Sequence, residues 1–354
     1  MHKISRRAVL TGLAACAIAS PRAAIAQDAA TLPIGDMHAH LFFVGKKPAS
    51  IQPLAQSMAS GGVSLMSWSL VGDMPWIRRG ERGLTQSGAP KAGGATKWFD
   101  AELRRVKAHL AEQKISVALT PADLDKALAG EPHVVLSVEG ASFLDEGIQG
   151  LKHAHDAGIR HLQLVHYVNN AVGDFQTEAP KHGGLTPFGR EVVQECNRLG
   201  ILVDLAHSTS QSVRQAVELS RAPMVWSHSS VARSGTPHWQ LPVWRARQLG
   251  REDARAIAAK GGVVGLWALR SDVGATADSY GDRLIEMASW LGDDHVAFGT
   301  DMNALSNSPI ETYADLRRAL IHMQGRGIDI ARLQKIAIGN YVRVLRQAMD
   351  ARAT

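Results

Sequence analysis

Eight short apolar runs, each followed by a segment of helical character, constrain this 354-residue chain more than any other feature. The first ends in Asp36-Met37-His38-Ala39-His40. The others are Gly61–Leu70, His133–Glu139, Ile159–His166, Ile201–His207, Met224–His228, Gly262–Trp267 and His295–Asp301. Runs of this length and composition read as buried strands. Helices read around Leu54–Ala59 and over Trp98–Gln113, Gly150–Ala157, Thr186–Leu199, Ser210–Leu219, Arg251–Lys260, Gly281–Leu291 and Tyr313–Arg326. Another is announced by Thr120 at the N-cap, Pro121 in the first turn and Asp123 three residues on. Alternation on this scale predicts an α/β fold, a closed parallel (β/α)8 TIM-type barrel in a single domain. An open doubly wound sheet is the alternative, but its Gly-rich turn after the first strand is missing. Asp73 to Thr96, rich in Gly, Arg and Lys and without a period, reads as a long loop or lid after the second strand.

In a barrel the C-terminal ends of the strands form one rim, where active sites lie. Six of these runs put His, Glu or Asp there: His38 and His40, Glu139, His166, His207, His228 and Asp301. Strand side chains alternate faces, so His38 and His40 point the same way and can lean onto one cation. A His/Glu/Asp set without cysteine favours zinc, with other divalent transition metals as alternatives. A lone carboxylate among four histidines is placed to bridge two ions. Glu139 would bridge, His38 and His40 complete one ion, and His207 and His228 the other. Two such ions lower the pKa of a shared water enough to supply hydroxide near neutrality.

The first 26 residues read as an export signal and 27–354 as the catalytic barrel. Ser5-Arg6-Arg7-Ala8-Val9-Leu10 resembles a twin-arginine motif, followed by an apolar stretch and an Ala24-Ile25-Ala26 cleavage site. This predicts a periplasmic protein. A second reading takes Leu13-Ala14-Ala15-Cys16 as a lipobox, with Cys16 lipid-anchored. The signal carries Lys3, Arg6, Arg7 and Arg22 and no acid, so its removal takes the formal net charge from +6 to +2. The basic precursor is therefore no argument for nucleic-acid binding. No apolar stretch after the signal is long enough for a transmembrane span. Cys196 would remain alone, which excludes an internal disulfide.

The sequence also resembles the membrane dipeptidase (renal dipeptidase-like, M19) family of metallopeptidases, within the amidohydrolase superfamily. The resemblance rests on Gly184-Leu185-Thr186-Pro187-Phe188-Gly189-Arg190-Glu191, Val203-Asp204-Leu205-Ala206-His207-Ser208, Ser137-Val138-Glu139-Gly140, Trp226-Ser227-His228-Ser229-Ser230, Gly299-Thr300-Asp301 and Gly339-Asn340-Tyr341-Val342-Arg343. It implies a (β/α)8 barrel, a homodimer, and two zincs that hydrolyse the peptide bond of dipeptides. By motif it gives Glu139 the bridging position, His166 the contact to the scissile carbonyl or its oxyanion, and Asp301 the acid/base role. Three departures stand out. The family's His-x-Asp is His38-x-His40 here, its Asp-Phe-Asp-Gly is Asp301-Met302-Asn303-Ala304, and its substrate-holding arginine motif is not legible between Ser234 and Arg247. Arg233 and Arg245 are the substitutes for that arginine. The residues themselves leave open other amides, lactams, esters or lactones as substrates, and also a catalytically silent metal-binding protein. Asp301 argues against the last, because a pure binding site needs no carboxylate beside its metal water.

Overall fold

The structure is a computed structural model and describes residues 28–40, 53–81 and 83–353. The proposed signal, with Cys16, lies outside the described residues. Strands β1 (Ile34–Ala39) and β2 (Val63–Val71) open the barrel, separated by the helix Leu54–Gly61. A hairpin follows, β3 (Ile77–Gly80) with β4 (Gly83–Gln86), then the two-residue strand β5 (Ser116–Val117). The remaining barrel strands are β6 (His133–Glu139), β7 (Ile159–Gln163), β8 (Leu202–Asp204), β9 (Val225–Trp226), β10 (Val263–Leu266) and β11 (Val296–Phe298). Their order is β1-β2-β6-β7-β8-β9-β10-β11, all neighbours parallel, with β5 added alongside β6. The ring closes where Ala39 bridges Met302, through His40 N to Met302 O at 3.0 Å and Asp301 N to His38 O at 2.9 Å. The predicted eight-stranded barrel is the fold.

Two expectations change. The segment read as an unstructured lid holds the antiparallel β3–β4 hairpin, whose exposed Arg78 and Arg79 hide the strand period. The next helix spans Gly94–Glu112 and so starts before Trp98. Its first turn carries no apolar period; instead a distant carboxylate caps it, since Asp145 accepts from Ala95 N at 3.1 Å and from Thr96 Oγ1 at 2.7 Å. The Thr120 cap forms as read, a reciprocal capping box with Asp123.

Strand alternation sorts the interior. On β6, Val134, Leu136 and Val138 pack in the cluster shared with the surrounding helices. Val135 joins a second cluster with Leu65, Leu202, Val225, Val263 and Ala297, which the C-terminal helix Asn340–Asp350 seals through Tyr341, Val344 and Leu345. The apolar end of the barrel is thus plugged. Successive inward positions of β6 run Val135, Ser137, Glu139, so the interior grows polar toward the rim.

Candidate metal centre

Several rim residues lie just beyond their strands, because β7, β8, β9 and β11 stop before His166, His207, His228 and Asp301. The backbone there leaves ordinary geometry: His207 has φ 69° and Asp301 φ 54°, both left-handed. Such residues cost of order 1–3 kcal/mol each and persist where surrounding structure holds them. Here they turn side chains from the strand ends over the barrel axis.

Glu139 is the centre of the group. Its Oε1 lies 3.6 Å from His38 Nε2, 3.4 Å from His166 Nε2, 3.2 Å from His207 Nε2 and 3.5 Å from His228 Nε2. Its Oε2 lies 3.6 Å from His40 Nε2. All six side chains are buried. Asp301 completes the ring, with Oδ1 3.3 Å from His40 Nε2 and 4.0 Å from His38 Nε2. Three overlapping ligand-type groups result: His38, His40 and Glu139; Glu139, His207 and His228; and His38, His228 and Asp301. The third means that Asp301 is within ligand reach as well as placed to carry a proton. All seven sequence-predicted metal and catalytic residues therefore meet at one point.

Donor chemistry tests whether metal fits. His38 and His40 approach at 3.1 Å between Nε2 atoms, and so do His207 and His228. Two nitrogens on one tetrahedral zinc stand roughly 3.3 Å apart, given bonds of about 2.0–2.1 Å. Three of the four opposite ring nitrogens are engaged outward, while His207 Nδ1 is buried without a partner. His40 Nδ1 donates to Ser69 O at 2.9 Å, which leaves its Nε2 lone pair inward. Ser227 Oγ lies 3.3 Å from His38 Nδ1 and 2.9 Å from His228 Nδ1. With two lone pairs it can accept from both rings and so hold one ligand of each pair in the metal-binding tautomer. The donor set fits two ions.

Charge is arranged to match. Burial alone would raise the Glu139 carboxyl, but His166 and His38 hold it well below the ordinary range. Burial, then Arg247 and His166, keeps His207 well below an ordinary histidine; burial, then His38 and Arg247, does the same for His228. Both stay neutral, the state a ligand needs. Burial would also lower His166, but Asp73 and Glu139 raise it.

Three residues that the sequence reading missed shape this centre. Asp73 accepts from His166 Nδ1 at 2.6 Å and from the backbone of Tyr167 and Val168 at 3.0 Å each, which aims His166 Nε2 at Glu139. A carboxylate directly after the second strand was its signal, obscured by the loop around it. Ser227 was hidden within a recognised motif. Arg247 is the third: it is 2% exposed, its Nη2 lies 2.9 Å from His228 Nε2, and its Nη1 donates to Gln176 Oε1 at 2.6 Å. It also lines the chamber over the metal ligands. Arg233 and Arg245, expected there, do not line that chamber. Arg233 is exposed and pairs with Glu286 at 2.7 Å; Arg245 is exposed over the Trp244 ring. Helical residues two apart do not share a face, so the turn Val243–Ala246 turns Arg245 out while Arg247 enters the site.

A family model described as membrane dipeptidase (peptidase family M19) matches residues 48–354. The chain belongs to the membrane dipeptidase family. Among curated relatives, dipeptidase tcpJ of Claviceps purpurea is 30% identical over 64% of this chain and 53% of its own length. Dipeptidase 3 of Mus musculus is 28% identical over 62% of this chain and 45% of its own. The chain thus spans about half the length of the curated relatives it matches. Solved structures match over more of their length. The metallopeptidase dipeptidase AC superposes with a TM-score of 0.74 at 22% identity, covering 90% of this chain and 99% of that one. A metallopeptidase from Rhodobacter sphaeroides, liganded with a phosphinate mimic of the dipeptide L-Ala-D-Ala, gives 0.73 at 22% identity with the same coverage. At that identity these structures support the barrel fold. No helix among the described residues is long and apolar enough to cross a membrane.

Proposed function

We propose that this protein is a binuclear metal-dependent dipeptidase. The observation that carries the reading is Glu139, one carboxylate within 3.6 Å of five imidazole Nε2 atoms at a barrel rim. His38 and His40 would hold one ion, His207 and His228 the other, and Glu139 both. Zinc suits the nitrogen-rich donor set. Bound there, the ions would supply Lewis acidity and a hydroxide nucleophile near neutral pH.

The chain's own groups do the rest. Asp301 Oδ1, beside His40, takes the proton released at the nucleophile and returns it to the leaving amine. His166, held by Asp73, presents Nε2 to the developing oxyanion. Arg247, with its Nε buried and unpartnered, anchors the free carboxylate of the substrate. Family membership and the likeness to a structure holding a dipeptide mimic support this assignment over a lactone or other amide hydrolase. Export through the twin-arginine motif and homodimer assembly belong to the same proposal and rest on the sequence and the family resemblance.

Elemental analysis of the purified protein should find close to two divalent ions per chain, and a His207→Ala/His228→Ala variant close to one. The loaded protein should hydrolyse simple dipeptides and lose that activity on chelation. A metal-free wild type that hydrolyses dipeptides would overturn the mechanism.

A further inference from the structure

Two chambers of very different size stand over the metal ligands, and six residues, Arg247 among them, line both. The inner chamber, walled by Glu139, His166, His207, His228 and Asp301, measures about 90 Å³. A cavity of roughly 150 Å³ holds benzene. The inner chamber therefore admits a scissile amide but no ring or branched side chain. The outer one measures about 720 Å³. Its wall is mostly apolar, with Leu84 from β4, Leu241, Val243, Trp244, Leu269 and Leu305, though Arg79 and Glu81 also line it. Trp244 is one of three large hydrophobic residues left exposed among the described residues. Its place on this cleft gives that exposure a purpose.

Arg247 and Trp267 line both chambers, so the guanidinium lies where they meet. Neither group is loose. Trp267 Nε1 donates to Asp272 Oδ2 at 2.9 Å, and Arg247 lies over the Trp267 ring at 5.5 Å. A carboxylate held by Arg247 places its own residue at the junction. The side chain of that residue has only the outer chamber to enter. We infer that the outer chamber is a specificity pocket for a large apolar side chain on the C-terminal, leaving residue of the dipeptide, with Trp244 and Leu269 as determinants of that preference. The inference rests on the dipeptidase reading and deepens it.

The test compares kcat/KM of the metal-loaded protein for Ala-Gly, Ala-Leu, Ala-Phe and Phe-Gly, with the chiral C-terminal residues in both L and D forms. For the better form of Ala-Phe, kcat/KM should exceed that for Ala-Gly by about tenfold or more, mainly through KM. Phe-Gly should gain no comparable advantage. The Ala-Phe to Ala-Gly ratio should fall toward one in Trp244→Ala and in Leu269→Asp, with metal content and circular dichroism confirming that both variants fold. A wild-type ratio near one, an advantage for Phe-Gly equal to that for Ala-Phe, or an undiminished ratio in both variants would overturn the pocket and leave the dipeptidase standing. No turnover of any dipeptide by protein carrying both metals would overturn the dipeptidase reading and the pocket with it.

Discussion

Asp301 shows how much one residue's surroundings decide. Its backbone is left-handed, its N–H is bonded to His38 O at 2.9 Å, and its carboxylate stands beside the His38–His40 pair. A carboxylate fixed this way can take a proton at the nucleophile without moving. Asp301→Asn keeps the shape and the left-handed tolerance but cannot accept that proton. Turnover should fall on the order of a hundredfold or more, while elemental analysis still finds both ions. Near-wild-type turnover would pass the proton to another group, and loss of one ion would make Asp301 chiefly a ligand. Asp301 was legible in the sequence because it closes an apolar run in a short motif. Arg247 was not, because nothing local says which of Arg245 and Arg247 the short helical turn will face inward.

At the scale of elements, what could be read were the barrel strands, since parallel strands buried on both faces are apolar throughout and short. What could not be read were features set by distant partners: the hairpin of β3 and β4, the helix start capped by Asp145, and the path of the chain after β9. That path depends on two glycines in other strand regions. A Cβ on Gly265 would lie 1.9 Å from Ser227 O, and one on Gly299 would lie 1.7 Å from it. Their bareness lets the chain carrying Ser227 come inward, so that its hydroxyl reaches His38 and His228 together. Gly299→Ala should therefore push Ser227 away. We expect a loss of about 1–3 kcal/mol by overpacking, read by urea unfolding, and metal affinity weakened about 10–100-fold through the disturbed imidazole partner. Gly325→Ala is the control, since its added Cβ meets nothing within 4 Å. It should leave metal affinity unchanged. Equal metal affinities in the two variants would show that Ser227 does not govern the ligand rings.

At the scale of the whole molecule, buried carboxylates tie the barrel together around its charged centre. Asp36 accepts from Thr300 N at 3.0 Å and Thr300 Oγ1 at 2.6 Å, joining β1 to the chain beyond β11. Asp204 accepts from Ala206 N at 2.9 Å and Ser227 N at 3.0 Å, joining β8 to the chain beyond β9. In the proposed centre the ion of His38 and His40 beside one seam and that of His207 and His228 beside the other would be linked through Glu139, so metal binding would also stabilise the barrel. Its pH dependence follows from His38. Burial would lower this imidazole, but Glu139 and Asp301 raise it above the ordinary 6.5 in the metal-free protein. Protonated His38 thus stabilises the metal-free fold; that contribution is complete below the unfolded value and is lost as pH rises through the raised folded one. A metal needs His38 neutral, so acid strengthens the competitor and weakens the loaded state. His207 and His228, held low, do not compete in that range. On acidification, the difference in Tm between zinc-loaded and chelated protein should therefore begin to shrink while the pH is still above about 6.5, before an ordinary histidine would respond. Zinc titration at about pH 7 should release protons to the buffer. A Tm difference that stays constant from about pH 8 to 6, with no proton release, would show that His38 is already neutral in the metal-free protein.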